Sequence, residues 1–166
     1  MKEIKLTQGK VALVDDSDYE FLNKFKWYSS KAGNTFYATR KSNRIKGKQY
    51  NISMHRVILG LKCSLMCDHI DHDGLNNQRN NIRIATSQQN NFNKTAHGKS
   101  KYLGVGFLII RYKNKSYQYI ESNITINKKR VRLGYFKTEK EAAQAYDASA
   151  KIHHGEFANL NFKLKS

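Results

Sequence analysis

Apolar and polar positions follow two different patterns, which meet near residue 95. Before that point, short apolar runs such as residues 11–15 are separated by clusters of turn-forming residues, which predicts a strand-rich unit. After it, apolar and polar residues alternate one by one: Ile124 and Ile126 fall on one face, and Asn123 and Thr125 fall on the other. This second pattern predicts a small antiparallel sheet.

Two capping signals predict where helices begin. Ser17 is followed by Glu20 and Thr138 by Glu141, each at the spacing of a capping box, and Gly155 is a natural helix end. The face of the second helix that packs on the sheet is predicted to carry residues at i, i+3, i+4 and i+7: Ala142, Ala145, Tyr146 and Ser149.

Turn residues complete the predicted architecture. Residues 32–34 and Gly47 each lie between strand-like runs and predict two hairpins. The segment "KTAHGKSK", residues 94–101, is basic and lacks an apolar period, which predicts a linker. The fold class is therefore α+β, with a strand-rich unit over residues 1–95. Residues 96–166 are expected to form a three-stranded antiparallel sheet packed on one α-helix.

The charge balance indicates the partner. The chain has 30 Lys and Arg against 13 Asp and Glu, a formal net charge of +17, which favours a polyanion such as nucleic acid. An anionic membrane is the competing partner, but the sequence has no apolar run of spanning length and no amphipathic helix with a Trp/Leu face. The N-terminus lacks the apolar core of a signal peptide, which predicts an intracellular protein. Cys63 and Cys67 are then expected as free thiols, with a zinc pair as the alternative.

The segment "MCDHIDHDGLNNQRNNIRIATSQQNNFN", residues 66–93, contains the groups that phosphodiester hydrolysis needs. Attack by water requires a base that works near pH 7, usually histidine, and the growing phosphate charge requires a hard cation with oxygen ligands. Asp68 and His69 are adjacent, and a polar loop, a short apolar strand and a polar helix follow them. Asp71 and Asp73 in the loop are expected to bond their own backbone. The pattern predicts a strand–loop–strand–helix finger.

Residues 50–93 resemble the HNH motif of phage and intron-associated homing endonucleases in order, spacing and loop residues. The resemblance implies that His69 is the general base and that Asp68 is a metal ligand. It further implies that Asn81 holds the histidine ring and that Asn90, on the helix, is the second metal ligand. The cofactor would be one Mg²⁺ or Mn²⁺ per active site.

Other residues of the segment carry further expectations. Cys67 stands where the motif usually has an aliphatic residue, and His72 stands where it has Gly or Asn, so His72 could compete for a soft metal such as zinc. His55 is expected to be a buried, hydrogen-bonded residue rather than a ligand. Arg56 beside it is expected to contact a phosphate.

The sheet of the second unit has one face left open by its helix. A β-ribbon can read bases in the major groove with Arg and Asn while Lys contacts phosphates; the alternative is an ordinary solvated face. The motifs "LGYF", "EAAQAYD" and "ANLNF" resemble the APETALA-two (ethylene-response-factor) DNA-binding domain, which implies DNA binding through the sheet. The candidate DNA-binding residues of this face are Arg111, Lys113, Tyr119, Asn123, Thr125, Arg130 and Arg132.

These observations predict a metal-dependent DNA endonuclease of the homing type. It would act as a monomer that nicks or cuts double-stranded DNA near a preferred site in a bacterial or phage-infected cell, leaving 5′-phosphate and 3′-hydroxyl ends. One alternative is a non-catalytic, sequence-specific DNA-binding regulator with an inactive finger. The other is an RNA-binding or RNA-cleaving protein, since the aromatic residues could stack on bases.

Overall fold

The computed structural model describes residues 1–44, 46–61, 65–96 and 98–163, so that Cys63, one of the two predicted free thiols, lies outside the described residues. It divides into two compact units, Met1–Asn90 and Asn91–Ser166. Small antiparallel sheets and a few helices make up both, which confirms the predicted α+β class.

The first unit is built from three small sheets and short helices. Its strands pair in the orders β1–β2, β3–β4–β5 and β6–β7. The first predicted hairpin is the antiparallel pair β3–β4, and the second is β4–β5 with a longer connection. The elements are β1 (Lys2–Lys5), β2 (Val11–Val14), α1 (Asp16–Leu22), β3 (Tyr28–Ala32), β4 (Thr35–Lys41), β5 (Asn51–Ser53), α2 (Met54–Ile58), β6 (Met66–His69), β7 (Ile82–Ala85) and α3 (Ser87–Phe92).

The core of this unit joins β2, α1 and α2. Val14, Leu22, Trp27 and Met54 are among its fully buried side chains. The Trp27 indole Nε1 donates a hydrogen bond of 2.8 Å to the Leu22 carbonyl, so its polar atom is satisfied inside the core. Burial of such large side chains supplies most of the stability of a small unit.

The predicted capping box at Ser17 is wrong. Helix α1 spans Asp16–Leu22, so Ser17 lies inside its first turn, and Asp15 is the N-cap without a side-chain capping bond. Asp16 and Asp18 fall in the first turn, where negative charge interacts favourably with the helix dipole. These negative charges favour a helix that begins two residues earlier than the predicted capping box at Ser17 implies.

The loop between β6 and β7 is docked on the N-terminal elements. The Leu13 amide donates to the Leu75 carbonyl at 2.9 Å, and the Asn77 amide donates to the Leu13 carbonyl at 2.8 Å. The Arg79 guanidinium donates to both carboxylate oxygens of Asp18 at 2.7 and 2.8 Å. The position of the loop is therefore fixed from outside the finger.

The second unit is one sheet packed against one helix. Its elements are β8 (Val105–Tyr112), β9 (Lys115–Ile126), β10 (Lys129–Phe136), α4 (Glu139–His154) and a 3₁₀ turn (Gly155–Phe157), with the strands in the order β10–β9–β8. The capping box of Thr138 and Glu141 is present as predicted, and Gly155, with φ of 56°, is the C-cap of α4. Within the described ranges, no helix is long and apolar enough to cross a membrane.

The buried stripe of α4 differs from the predicted one. Ala142, Tyr146 and Ala150 are buried at a spacing of four residues, whereas Ala145 and Ser149 are only half-buried. Tyr146 packs so closely over Gly104 that a Cβ there would lie 2.0 Å from its Cδ2 atom. This approach of ring to backbone sets the rotation of the helix on the sheet.

The segment predicted as a linker, residues 94–101, is bound to the second unit. The Ser100 hydroxyl donates to the Glu139 carboxylate at 2.6 Å, and Ser100 is itself buried. The Asn159 amide donates to the Lys94 carbonyl at 3.1 Å. The linker prediction is wrong for these ends of the segment, because their polar groups have partners that composition does not reveal.

Candidate functional site

The hairpin β6–β7 places its charged groups on two faces. Asp68 pairs with Arg83, and His69 pairs with Ile82, in an antiparallel register. Because side chains alternate along a strand, Asp68 lies on one face, and Cys67 and His69 lie on the other. The opposite orientation of Asp68 and His69 is that expected of neighbours on a strand.

Asp68 forms a buried ion pair. It is 5% exposed, and its Oδ2 atom accepts hydrogen bonds from Nε and Nη2 of Arg83 at 2.9 and 2.7 Å. A buried carboxylate is costly unless paired, so Arg83 both neutralises and orients it. Any cation that binds Asp68 must share the carboxylate with this guanidinium.

His69 lies on the other face among aromatic rings. It is 6% exposed, with ring centroids 5.7 Å from Tyr37 and 5.1 Å from His55. Burial lowers the pKa of His69, against the opposing effects of a hydrogen bond with Asn77 and of nearby carboxylates, Asp71 foremost. The imidazole is therefore neutral near pH 7 and can accept a proton.

His55 and Cys67 lie beside His69, and the sequence did not indicate this cluster. The ligating atoms of the three side chains all lie within 4.8 Å of one another. Burial lowers the pKa of His55 to about 4, helped by His69 and Arg56, and raises the pKa of Cys67 to about 11. His55 is half-buried, and its Nδ1 atom has no hydrogen-bond partner among the described residues, so the expected hydrogen bond is not made at this nitrogen.

Asn81 organises the loop. Its amide donates to the Asp71 carboxylate and to the Asn76 carbonyl, both at 2.8 Å, and its side-chain oxygen accepts from the Asp71 amide at 3.1 Å. The amide that acts on the pKa of His69 is that of Asn77, which is fully buried. A role of Asn81 in holding the ring stays a prediction, and sequence reasoning missed Asn77 because it reads as one more turn former.

Asn90 is carried by α3, whose start is well defined. The Thr86 hydroxyl accepts from the Gln89 amide at 3.2 Å, and the Gln89 side chain accepts from the Thr86 amide at 2.8 Å. This reciprocal pair caps the helix directly after β7. Asn90 is half-buried, and its backbone amide donates to the Thr86 carbonyl at 2.9 Å. Shared metal ligation by Asp68 and Asn90 stays a prediction.

Arg56 has a structural contact. Its Nη1 atom donates to the Leu65 carbonyl at 2.7 Å, which ties α2 to the segment that enters β6. This contact holds the guanidinium beside the finger. The predicted contact with a phosphate stays a prediction.

A relative among known proteins decides the family. A protein of Acanthamoeba polyphaga mimivirus, named as an uncharacterised HNH endonuclease, is 31% identical over 160 residues, which cover 93% of this chain and 76% of the relative. The chain belongs to the HNH endonuclease family. No protein-family model matches it, and no solved structure matches it. Because the match covers 93% of the chain, it extends over both units of this HNH endonuclease.

The second unit of the HNH endonuclease has a charged sheet face. The register pairs Arg130 with Thr125 and Arg132 with Asn123, which puts these four residues on one face together with Tyr119. Arg111 pairs with Ser116, so it lies on the opposite face, and Lys113 lies in the turn between β8 and β9. The expectation of one common face is wrong for Arg111. The face that a residue of β8 occupies depends on its pairing with β9, which the sequence alone does not give.

Glu121 organises the arginines of this face. Its two carboxylate oxygens bind Nη2 of Arg130 at 3.0 Å and Nε of Arg132 at 3.1 Å. Arg132 also lies over the Tyr135 ring, with 5.1 Å from its Cζ atom to the centroid. The arginine side chains remain 68% and 52% exposed, so this face of the HNH endonuclease presents oriented guanidinium groups to solvent.

Proposed function

We propose that the chain is a metal-dependent DNA endonuclease of the homing type, which hydrolyses phosphodiester bonds of double-stranded DNA. The observation that carries the proposal is the buried, neutral imidazole of His69, adjacent on β6 to the carboxylate of Asp68. Membership of the HNH endonuclease family agrees with it.

His69 acts as the general base. An imidazole nitrogen takes the proton of the attacking water, and its neutral state near pH 7 suits it to do so. Asn77 favours the charged form that results, because its side chain raises the pKa of His69 against the effect of burial. The expected products carry 5′-phosphate and 3′-hydroxyl ends.

Asp68 and Asn90 are the proposed metal ligands. A carboxylate and an amide offer oxygen atoms, which hard cations such as Mg²⁺ and Mn²⁺ prefer, so the donor set fits the cofactor. When bound, the ion would stabilise the negative charge that grows on the phosphate oxygens. Arg83 keeps the carboxylate of Asp68 in place through two hydrogen bonds.

The second unit is proposed to bind DNA in the manner of an APETALA-two domain. The exposed arginines of its sheet support this role, as does the net charge of +17. Asn123, Thr125 and Tyr119 share their face and would contact bases or backbone. The chain is proposed to act as a monomer inside a bacterial or phage-infected cell, and a single active site favours nicking at least as much as a double-strand cut.

A plasmid assay tests this function. Supercoiled plasmid incubated with the full chain should become nicked or linear in Mg²⁺ or Mn²⁺ and stay intact in EDTA. Asp68→Asn and Asn90→Ala should raise the Mg²⁺ concentration needed for half-maximal rate, whereas Asp73→Asn, a loop carboxylate outside the proposed ligand set, should not. Sequencing of the ends should find 5′-phosphates.

The alternatives give different results in the same assay. Retardation of DNA without cleavage in either metal would support the non-catalytic regulator and overturn the proposal. Faster cleavage of structured RNA than of duplex DNA would overturn the choice of substrate.

A further inference from the structure

Two sets of potential ligands of different chemistry share strand β6. Asp68 offers oxygen, whereas Cys67 and His69 on the opposite face offer sulfur and nitrogen, and His55 of α2 adds a second imidazole. Thiolate and imidazole are the preferred ligands of Zn²⁺ and poor ligands of Mg²⁺. The second set therefore calls for a different ion.

We propose that His55, Cys67 and His69 bind one soft divalent cation, represented by Zn²⁺, and that this ion inhibits the nuclease. The inhibitory part rests on the proposed function, because it requires His69 to be the base. The binding part rests only on the arrangement of the three side chains.

The geometry of the cluster is close to that of a zinc site. Bond lengths of about 2.0–2.1 Å to nitrogen and about 2.3 Å to sulfur put tetrahedral ligand atoms roughly 3.3–3.6 Å apart. The ligating atoms of the three residues lie within 4.8 Å of one another, so the most distant pair needs to approach by at most roughly 1.2–1.5 Å. The imidazole rings of His55 and His69 are nearly perpendicular, at 85°, so that they are not stacked face to face.

The protonation states favour a soft ion. Burial lowers the pKa of both His55 and His69, so neither imidazole has to lose a proton on binding near pH 7. Burial raises the pKa of Cys67 to about 11, so the ion itself has to displace the thiol proton to solvent, and binding is expected to weaken as the pH falls. The bound thiolate then leaves one net positive charge on the ion–thiolate pair. The carboxylates of Asp68 and Asp71 act on His69 electrostatically and would stabilise that charge.

Occupation of the cluster removes the base. A His69 nitrogen that holds a cation cannot accept a proton from water, even when Mg²⁺ is present. Three protein ligands leave a fourth position for water, as in catalytic zinc sites. The expected result is inhibition of Mg²⁺-supported cleavage by Zn²⁺, relieved by a chelator.

Cobalt provides a readout that does not depend on activity. The full chain titrated with Co²⁺ should develop the absorption bands of tetrahedral cobalt with a thiolate ligand, and one equivalent of Zn²⁺ should remove them. Cys67→Val keeps the shape of the side chain without sulfur and should abolish the bands, and His55→Gln should weaken binding at least tenfold. Cys63→Ser and His72→Gln are the matched controls and should leave the spectrum unchanged.

Inhibition is measured separately. Each protein is compared with its own zinc-free nicking rate in Mg²⁺, and Cys67→Val should need at least tenfold more Zn²⁺ than the natural sequence for half inhibition. Circular dichroism melts of the variants establish that they are folded, and His55→Gln serves as the second test if Cys67→Val is not.

Each contrary outcome has one meaning. Absence of thiolate bands in the natural sequence, or their persistence in folded Cys67→Val, overturns the metal site. Zinc binding with unchanged Mg²⁺-supported nicking overturns the inhibitory role and leaves the proposed function intact. A chain that never cleaves DNA defeats the proposed function, and the cobalt titration still decides whether the ion binds.

Discussion

The two units handle charge in opposite ways. In the first, Asp68 and His69 are 5% and 6% exposed and are fixed by neighbours such as Arg83. In the second, Arg130 and Arg132 are more than half exposed and are oriented by one carboxylate, Glu121. Proton transfer needs groups that are desolvated and fixed, whereas a long polyanion needs charges that it can reach. The contrast suggests that chemistry and DNA affinity are divided between the units.

Loss of the base gives the largest expected effect. His69→Ala should lower the nicking rate in Mg²⁺ by ~10²–10⁴-fold, because it removes the proposed acceptor for the proton of the attacking water. DNA retardation in a gel should stay within about twofold of the natural sequence, since the second unit is untouched. Arg130→Ala is the matched change in the other unit and should give the reverse result. Equal losses of rate and affinity in both variants would break the proposed division.

A glycine in the second unit tests whether the fold of that unit matters for DNA binding. The Cβ that Gly104→Ala adds would lie 2.0 Å from a Tyr146 ring atom, and the φ of this position, +74°, is unfavourable for alanine. The substitution should therefore lower the free energy of unfolding by on the order of 3–5 kcal/mol. Gly106→Ala meets its nearest neighbour, a Glu121 oxygen, at 3.4 Å and is the control. Thermal melts should show that the second unit is unfolded in Gly104→Ala but not in Gly106→Ala. Gel retardation should show that DNA affinity is lost in the same variant only. Unchanged affinity after the unit has melted would remove its proposed role.

Low pH should destabilise the first unit through protonation of His55. Burial lowers the pKa of His55 to about 4, below the ordinary value of 6.5, so the unfolded chain binds a proton that the folded chain does not. The free energy of unfolding is therefore unaffected by protonation of His55 above pH 6.5. It decreases as the pH falls from 6.5 towards 4, by on the order of 3 kcal/mol in total. Urea unfolding in EDTA at several pH values measures it, and His55→Phe should flatten the profile. A natural sequence as stable at pH 4.5 as at pH 7 would contradict the burial argument.

The smallest expected effect concerns Glu121. Glu121→Gln breaks ion pairs with exposed arginines, which should change stability by less than about 1 kcal/mol. DNA affinity should rise a few-fold at low salt, because a negative charge leaves the proposed binding face. Glu3→Gln removes the same charge from the first unit and is the control. A fall in affinity of tenfold or more would mean that orientation of Arg130 and Arg132 outweighs their charge.

Local rules predicted the alternation along β9 and the start of α4 in the second unit. Thr138 and Glu141 act through neighbouring backbone groups, and the alternation around Ile124 acts through one strand, so neither depends on distant contacts. The cap at Ser17 failed because charges in the first turn of α1 compete with it. The sequence alone therefore predicts a helix or strand whose start and faces depend only on neighbouring residues.

The environment of His69 was only half predictable. Asp68 and His69 are adjacent in the chain and could be found from chemistry and resemblance. His55 comes from a different element, and its approach to Cys67 and His69 depends on how α2 packs against β6. Asn77 looks like any turn residue until its burial is seen. The ends of residues 94–101 were missed for the same reason, since only the fold shows what Ser100 and Lys94 bind.

The docking of the β6–β7 loop on the N-terminal strands implies an order of events during synthesis. Arg79 binds Asp18, which precedes it by 61 residues, and Leu13 binds the loop on both sides. At ~5–20 residues per second, the ribosome makes the N-terminal hairpin roughly 3–12 s before the loop that docks on it. The hairpin can therefore be formed before the β6–β7 loop emerges. In a circular permutant that moves residues 1–22 behind the finger, this order would be reversed, and the β6–β7 loop would be made before the strands on which it docks.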